Sequence, residues 1–505
     1  MCDRAVIGTS IAPFQIENQK ECVLSWIRSG FKVCSYNCKS EIEILKANFE
    51  DTEVEFIEIG RSAVEYCGKE LPFIQDILSG VAEQTEYVCG YFNSDIYFEN
   101  VTESMYEFIC EEAKDSVVVV HRNEINTTDD IKKMNWNINL DGIDGFFIGK
   151  SKAEGLYDDW AYVQTVWDTF LLIMCKKRGI PVKTLVNPIA FHKRHKVRWN
   201  YDRTQKTYEK VIENYYDGKE NGRREIFYDK YGNLYHYSRN IVCCEREDYK
   251  VCFVLEEQEE KLIASIEKQK LPFYEVVIGN CDRTKKYDFI FKLKKGTVLD
   301  AAFSRFVFHL YETYGWSGLE VGRFFVSQIE NRMIFNQLNK NITQLEYMNR
   351  QCDLYHYIET CNSEEKQTKK VLYPICYEMI DVMDETIVRR EVLDGNTFIM
   401  PAGYRAGEWY SVNKCHLHTV DIIGCLDNDE TKVGNTLAGL RIYSAKDVLK
   451  TKDKYNLILC TKYYQDEIRE QIAHNDSVKL LDADSVLWVD ETGIFYVFDV
   501  EEYKG

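Results

Sequence analysis

The stretch YVCGYFNSDIYFEN, Tyr87 to Asn100, decides how this chain is read. Its first residues form a short, continuously apolar run, the pattern of a strand buried on both faces. Asn93, Ser94 and Asp95 then interrupt it before apolar character returns at Ile96. Asn and Asp side chains bond their own backbone in turns, so the triplet suits a turn. A carboxylate at the end of an interior strand equally suits a site that holds something charged. Both readings stand on the triplet alone.

Outward from it, the first 125 residues alternate strand and helix signals. RAVIGTSIA reads as a strand, and Asn18 to Ser29 as a helix with Cys22, Val23, Trp26 and Ile27 on one face. FKVCSYN, EVEFIEIG, YVCGYF and SVVVVHR are further strands. Between them lie the helical stretches EIEILKANF, FIQDILSGVAEQ and VTESMYEFICEEA. Short apolar strands separated by helices indicate a parallel sheet covered on both faces. Ligands of open α/β sheets bind beyond the carboxyl ends of the strands, where the triplet sits.

The chain has 505 residues, too many for one core, so two to four domains are expected. Hydrophobic residues make up 45% and charged residues 29%, as in ordinary globular proteins. A net charge of −19 argues against a general nucleic-acid binder, which neutralises phosphates with Lys and Arg. MCDRAVIGTS carries no apolar leader core, and no apolar run approaches the roughly 20 residues of a membrane span. The expected location is the cytoplasm. Eighteen cysteines fit that compartment as reduced, buried thiols, since Cys34, Cys89, Cys252, Cys425 and Cys460 lie in strand-like runs. No C-x-x-C pair occurs, and CHLH, Cys415 to His418, has no second ligand pair at zinc spacing.

From Asn200 to Arg246 the chain is charged and Tyr-rich, and reads as a linker or peripheral segment. YKVCFVLEE, EKLIASIEKQ, FYEVVIGN, YDFIFKL and AAFSRFVFHLYETYG then restart the strand–helix pattern. Polar, helix-prone sequence follows near residue 350. A third unit starts at NTFIMPAGYRAGEWY and continues through VDIIGCLDNDETKVGNTLAGLRIYS and YNLILCTKYYQDEIREQIA. The expected divisions are 1–200, 201–246 (linker), 247–350, 351–394 (helical connector) and 395–505.

After the triplet come LDGIDGFFIGKS, a strand with acidic residues before it, and a helical stretch headed by Trp167-Asp168. FHKRHKVRW follows, with His192 and His195. This ordered set resembles nucleotide-sugar glycosyltransferases of the GT-A fold over about the first 200 residues. The resemblance implies a GT-A-type mixed sheet flanked by helices. It implies that the strand-end triplet holds a divalent cation, which bridges the two phosphates of the sugar nucleotide. Asp95 would then be a metal ligand, with His192 or His195 as a nitrogen ligand, His195 slightly favoured. Mg²⁺ needs only one or two carboxylates, and nitrogen ligands suit Mn²⁺ better. Asp168 would be the general base for the acceptor hydroxyl. Lys193, Arg194, Lys196 and Arg198 would pair with phosphate oxygens. GTSIAPF resembles the first-strand loop that contacts the base, with Thr9 and Ser10 as candidates.

Each residue has a plainer account. Asp168 suits a helix N-terminus by its charge, the basic residues suit a solvated face, and one histidine suits a surface hydrogen bond. Asn93 departs from the usual D-x-D triplet; it removes one negative charge from the metal site, which either weakens metal binding or leaves Asn93 contacting ribose, and Ser94 is a further candidate for the nucleotide.

LIASIEKQKLPFYEVVIGNCD resembles the opening of inverting GT-A enzymes. Its matching strand end carries Lys292, Lys294 and Lys295 where carboxylates should stand, so a degenerate second GT-A-like α/β unit is expected. The third unit resembles small Rossmann-like α/β domains attached to sugar-modifying enzymes, an interaction module. Its Gly403 to Gly407 stretch departs from G-x-G-x-x-G, and LDNDE reads as a solvated turn.

The expected function is a metal-dependent hexosyltransferase using a nucleotide sugar, with a glycan, lipid-linked or protein acceptor and no nucleic-acid partner. Self-association is left open. The alternative is a non-catalytic scaffold built from decayed transferase domains, which Asn93 and the lysine strand end favour.

Overall fold

The computed structural model describes residues 4–139, 142–164, 166–195, 201–219, 222–237, 240–244, 249–282, 285–293, 298–329, 332–336, 356–360, 368–378, 388–391, 395–414, 417, 420–451, 453–461, 463–473, 475–483, 486–490 and 493–497. Lys196, Arg198, Lys294, Lys295, Cys415, His416 and His418 therefore lie outside the described residues. Contacts divide the chain into two compact units. One comprises Met1–Lys196, Gly232–Val326 and Asn336–Glu378; the other comprises Val197–Tyr231, Ser327–Phe335 and Met379–Gly505. No described helix is long and apolar enough to cross a membrane.

The first unit opens with β1 (Val6–Thr9), β2 (Lys32–Asn37), β3 (Glu55–Glu58), β4 (Val88–Phe92), β5 (Ile96–Phe98), β6 (Val117–Val120), β7 (Arg122–Ile125), β8 (Asn137–Asn139), β9 (Gly145–Gly149), β10 (Val182–Leu185), β11 (Ala190–Lys193) and β12 (Ile241–Val242). Eight of these form one sheet in the order β12-β10-β6-β9-β4-β1-β2-β3. Its pairs are parallel except those made by β9, which runs antiparallel between β4 and β6. The sheet is therefore mixed, as the GT-A resemblance implies, and not wholly parallel. Gly90 permits that insertion: a Cβ there would lie 2.7 Å from the Phe146 carbonyl oxygen of β9.

Helix Ile16–Arg28 shows how the sequence builds this layer. Cys22, Val23 and Trp26 form its buried stripe, with Glu17 in the first turn and Arg28 in the last, matching the helix dipole. Trp26 is fully buried against Phe92 and Phe98, and its indole N–H donates to the Ile96 carbonyl at 2.7 Å. Burying a large apolar side chain contributes roughly 1.5–3 kcal/mol. The contact also fixes the chain just after the Asn93–Asp95 triplet.

A smaller sheet, β5-β11-β7-β8, branches from the same unit. β11 runs antiparallel to β5 and parallel to β7, with His192 opposite both Ile96 and Glu124.

The chain then adds β13 (Val251–Leu255), β14 (Tyr274–Ile278), β15 (Phe289–Leu293), β16 (Gly318–Ile329), β17 (Arg332–Asn336), β18 (His356–Thr360) and β19 (Thr368–Glu378). They make a sheet ordered β14-β13-β15-β18-β16-β17, with β19 paired to β16. β13, β14 and β15 are parallel, as in a second α/β unit, and Phe289, Phe291, Phe303 and Phe308 lie in its core.

Two expected segments are corrected. Residues 201–246 are not a linker: they hold helices Tyr201–Tyr215 and Gly222–Tyr237 and then β12, which edges the first sheet. Tyr208, Val211, Tyr216 and Ile226 are buried there, so the aromatic content is a packing face. Within 351–394 the described residues are strands, not a helical connector. β18 lies between β15 and β16, and sheet pairing overrides a helix-prone composition.

The second unit contains β20 (Val388–Glu391), β21 (Asn396–Met400), β22 (Asp421–Asp427), β23 (Thr436–Leu437), β24 (Leu440–Ser444), β25 (Tyr455–Leu459), β26 (Val478–Asp482), β27 (Val486–Asp490) and β28 (Gly493–Val497). The order β23-β24-β22-β21-β25-β26, parallel except for β23, is a Rossmann-like sheet. The acidic turn expected to be solvated begins with a buried residue: Asp427 ends β22 and meets Lys432 Nζ at 2.9 Å.

Candidate metal centre

The Ile96 amide donates to the Asn93 carbonyl at 3.2 Å, so the triplet is a turn joining β4 to β5. The turn also presents Asp95 to two imidazoles. Asp95 Oδ2 lies 3.5 Å from His192 Nε2 and 3.3 Å from His195 Nε2, and the two Nε2 atoms are 3.2 Å apart. One donor atom from each residue fits within 4.8 Å of the others. His192 is buried on β11, whereas His195, just past the strand, and Asp95 have side chains 41% and 32% exposed. The centre is rooted in the sheet and open on one side.

Behind it runs a chain of charged partners. His192 Nδ1 faces Glu124 Oε2 at 3.0 Å, and Glu124 Oε1 lies 2.8 Å from Arg122 Nε. Arg122 Nη1 donates to Asp144, whose other carboxylate oxygen accepts from Asn93 Nδ2 at 2.8 Å. The Asn93 amide also donates to the Asp144 carbonyl at 2.9 Å. The first triplet residue and the buried histidine are thus tied together through one arginine.

These contacts set the charges. Burial opposes the charged form of Asp95, yet hydrogen bonds with His192 and His195 hold its carboxyl well below the usual range. Burial likewise opposes ionised Glu124, and His192 and then Arg122 pull it down. For His192 burial works downward, but hydrogen bonds to Asp95 and Glu124 raise it to about 10. The Tyr91 phenol is pushed up by burial, then by the charges of Asp95, Asp144 and Asp168 around it.

The other residues singled out in the sequence are placed as follows. Thr9 ends β1 and is fully buried, and its hydroxyl has no hydrogen-bond partner among the described residues. The Ser94 hydroxyl donates to Gln19 Oε1 at 2.7 Å and reaches the Ser10 carbonyl at 3.5 Å, so Ser94 pins the first-strand loop. Asn93 is half-buried and held by Asp144. Lys193 Nζ meets Glu21 at 2.6 Å, and Arg194 is exposed beside the centre. Asp168 sits in the first turn of helix Trp167–Lys177, half-buried, and its charge acts on Tyr91 and Arg122.

Sequence reasoning missed Glu124, Arg122, Asp144 and Tyr91. One signal was R-x-E on β7, whose alternation sets Arg122 and Glu124 on one face; another was the acidic residue ahead of the GFFIG strand, Asp144. It also missed a groove of about 440 Å³ at the carboxyl ends of β2 and β3, lined by Lys39, Glu58 and Arg61 among others. Arg61 is held there by Asp76 and Asp159, each at 2.7 Å.

The donor set fits a divalent cation. One carboxylate oxygen and two imidazole nitrogens suit Mn²⁺ and its neighbours better than Mg²⁺. An ion held by these three residues would keep coordination positions for a substrate. At the corresponding strand end of the second α/β sheet only Lys292 is described, and it offers no carboxylate.

Residues 404–479 match the family model described as C2185-like, N-terminal. No curated protein matches the chain. Among solved structures, S. aureus TarS 1–349 in complex with UDP-GlcNAc is similar with a TM-score of 0.29 and 10% identity, over 46% of this chain and 73% of that chain. A second structure of S. aureus TarS 1–349 gives 0.28 and 11%, over 47% and 73%. S. aureus TarS itself gives 0.28 and 10%, over 46% and 44%. The family match lies wholly outside the Asp95–His192–His195 centre, whose chemistry rests on its own geometry.

Proposed function

We propose that this protein is a metal-assisted glycosyltransferase, taking a hexosyl group from a nucleotide sugar to a hydroxyl of a glycan, a lipid-linked precursor or a protein. The observation that carries the reading is the convergence of Asp95, His192 and His195 at the carboxyl end of an interior strand. Ligands of such sheets bind at that end, and many buried thiols suit a cytoplasmic setting.

Asp95, His192 and His195 would hold Mn²⁺ or a similar ion, which supplies positive charge where a diphosphate leaving group gains negative charge. Glu124 holds the His192 ring so that Nε2 faces the centre. Arg194 and Lys193 add positive charge beside the phosphates. Ser10 and the groove beyond β2 and β3 would receive the nucleoside, with the buried Thr9 beneath that loop. Asn93 and Ser94 serve by fixing the turn and the loop. In the transfer the acceptor oxygen bonds to the anomeric carbon as the bond from that carbon to the phosphate oxygen breaks. The hydroxyl proton passes to Asp168, and the nucleotide leaves.

The test is a thermal-shift panel of nucleotide sugars and bare nucleotides, each with Mn²⁺ and with chelator. A ligand at 100 times its Kd stabilises by about 2.7 kcal/mol. A metal-dependent shift with one donor, absent in Asp95→Ala, is expected. No shift with any donor, with or without metal, would replace this reading by the scaffold.

A further inference from the structure

Among the described residues the second α/β sheet holds no cluster like that of Asp95, His192 and His195, yet it is seated against the strands that carry this cluster. Side chains alternate along each strand of β5-β11-β7-β8. His192 and Glu124 point to one face, the metal-centre face, and Phe191, Tyr97 and Ile125 to the other. That back face packs on Tyr314, at the end of helix Phe303–Tyr314 of the later sheet. The Tyr314 ring lies 5.2 Å from that of Trp136, which lies 5.5 Å edge-on from Phe191, the residue before His192. The Tyr314 hydroxyl accepts from Asn100 Nδ2 at 2.8 Å, two residues past β5 and in the left-handed region at φ 62°. A separate contact supports the other edge: Lys369 of β19 donates to the Lys133 carbonyl at 2.9 Å, ahead of β8.

We infer that the second α/β unit is a platform for the metal centre, and that Tyr314 is a positioning residue which sets the β5–β11 pair and so the Asp95–His192 geometry. One side chain touches residues that flank both outer strands of the four-stranded sheet, Asn100 after β5 through its hydroxyl and Trp136 before β8 through its ring. Ligand geometry is held only as well as the supporting layer holds it. This inference rests on the metal reading above and gives the degenerate unit its role.

The test uses the full chain, with Mn²⁺ alone as the probe. Two quantities are measured: the Mn²⁺ dissociation constant, by electron paramagnetic resonance, and the imidazole signals of His192 in ¹⁵N-histidine-labelled protein without metal. Tyr314→Ala removes the ring. Asn100→Gly removes only the amide partner and tolerates the positive φ, so it keeps the fold. Phe289→Leu, in the core of the second sheet, is the control for general destabilisation. Tyr314→Ala is expected to weaken Mn²⁺ binding roughly tenfold and Asn100→Gly a few-fold, both with shifted His192 signals. Phe289→Leu should lower Tm with neither effect. Unchanged affinity and His192 signals in Tyr314→Ala and Asn100→Gly would overturn the platform. Absence of Mn²⁺ binding in the unaltered protein would instead sink the metal reading, and the His192 signals would still decide whether Tyr314 positions that ring.

Discussion

Glu124 Oε2 lies 3.0 Å from His192 Nδ1, while Nε2 of the same ring faces Asp95 at 3.5 Å. The imidazole is gripped on one nitrogen and offered on the other, the arrangement by which carboxylates orient metal-ligating histidines. Replacing Glu124→Gln should weaken Mn²⁺ binding about 10–100-fold. Titration of the purified chain with Mn²⁺ checks this, and an affinity within about twofold of the original would refute the role.

Asn93 gives its amide hydrogens to Asp144, so the apparent defect in the triplet is a paired contact. Asn93→Asp, which restores the D-x-D pattern, sets two carboxylates against each other. It should destabilise by roughly 1–3 kcal/mol and leave metal affinity no higher. Urea unfolding with and without Mn²⁺ reports both, and a tighter metal site would show that Asn93 faces the ion.

Gly145 opens β9 directly after Asp144, and a Cβ there would stand 1.8 Å from Phe92 Cδ1 at the end of β4. Gly145→Ala must push that buried ring aside, at a cost of roughly 1–3 kcal/mol. A lower Tm with a loosened metal site is expected, because Asn93 follows Phe92 directly. A Tm equal to that of the parent would show that β4 and β9 yield freely.

Arg223 and Glu408 pair at 3.0 Å in the second unit, with the guanidinium buried and stacked 3.3 Å over the Tyr208 ring. Arg223→Ala leaves Glu408 without that partner and should cost about 3–5 kcal/mol. Arg223→Met combined with Glu408→Leu should recover much of this. Denaturant midpoints of the three proteins decide it; equal losses for single and double variants would mean that the pair is not the cause.

Part of this was legible in residue order. VCGYF followed by NSD reads as a strand end with a carboxylate, and FHKRH places two imidazoles three residues apart. The partners Arg122 and Glu124 were not legible, because an R-x-E on a short strand has no meaning until its neighbour in the sheet is known. The strands within 351–394 and the helices within 201–246 were misread for a related reason. Local propensity is weak, and burial against a distant element overrides it, as Tyr208 and β18 show.

By itself the sequence determined what is local. It set the apolar runs that become strands, the polar turn after Phe92, the stripe of helix Ile16–Arg28 and the donor chemistry of Asp95, His192 and His195. Only the tertiary structure decided that Asp95 and His195, 100 residues apart, share a site. It also decided that β9 enters the sheet antiparallel and that Tyr314 supports the ligand strands from behind. The physical reason is range. Periodicity and side-chain chemistry act over a few residues, whereas strand order is selected by burial across the whole unit. Closing a longer loop costs little more than closing a short one, so the residues between two strands do not reveal which of them will pair.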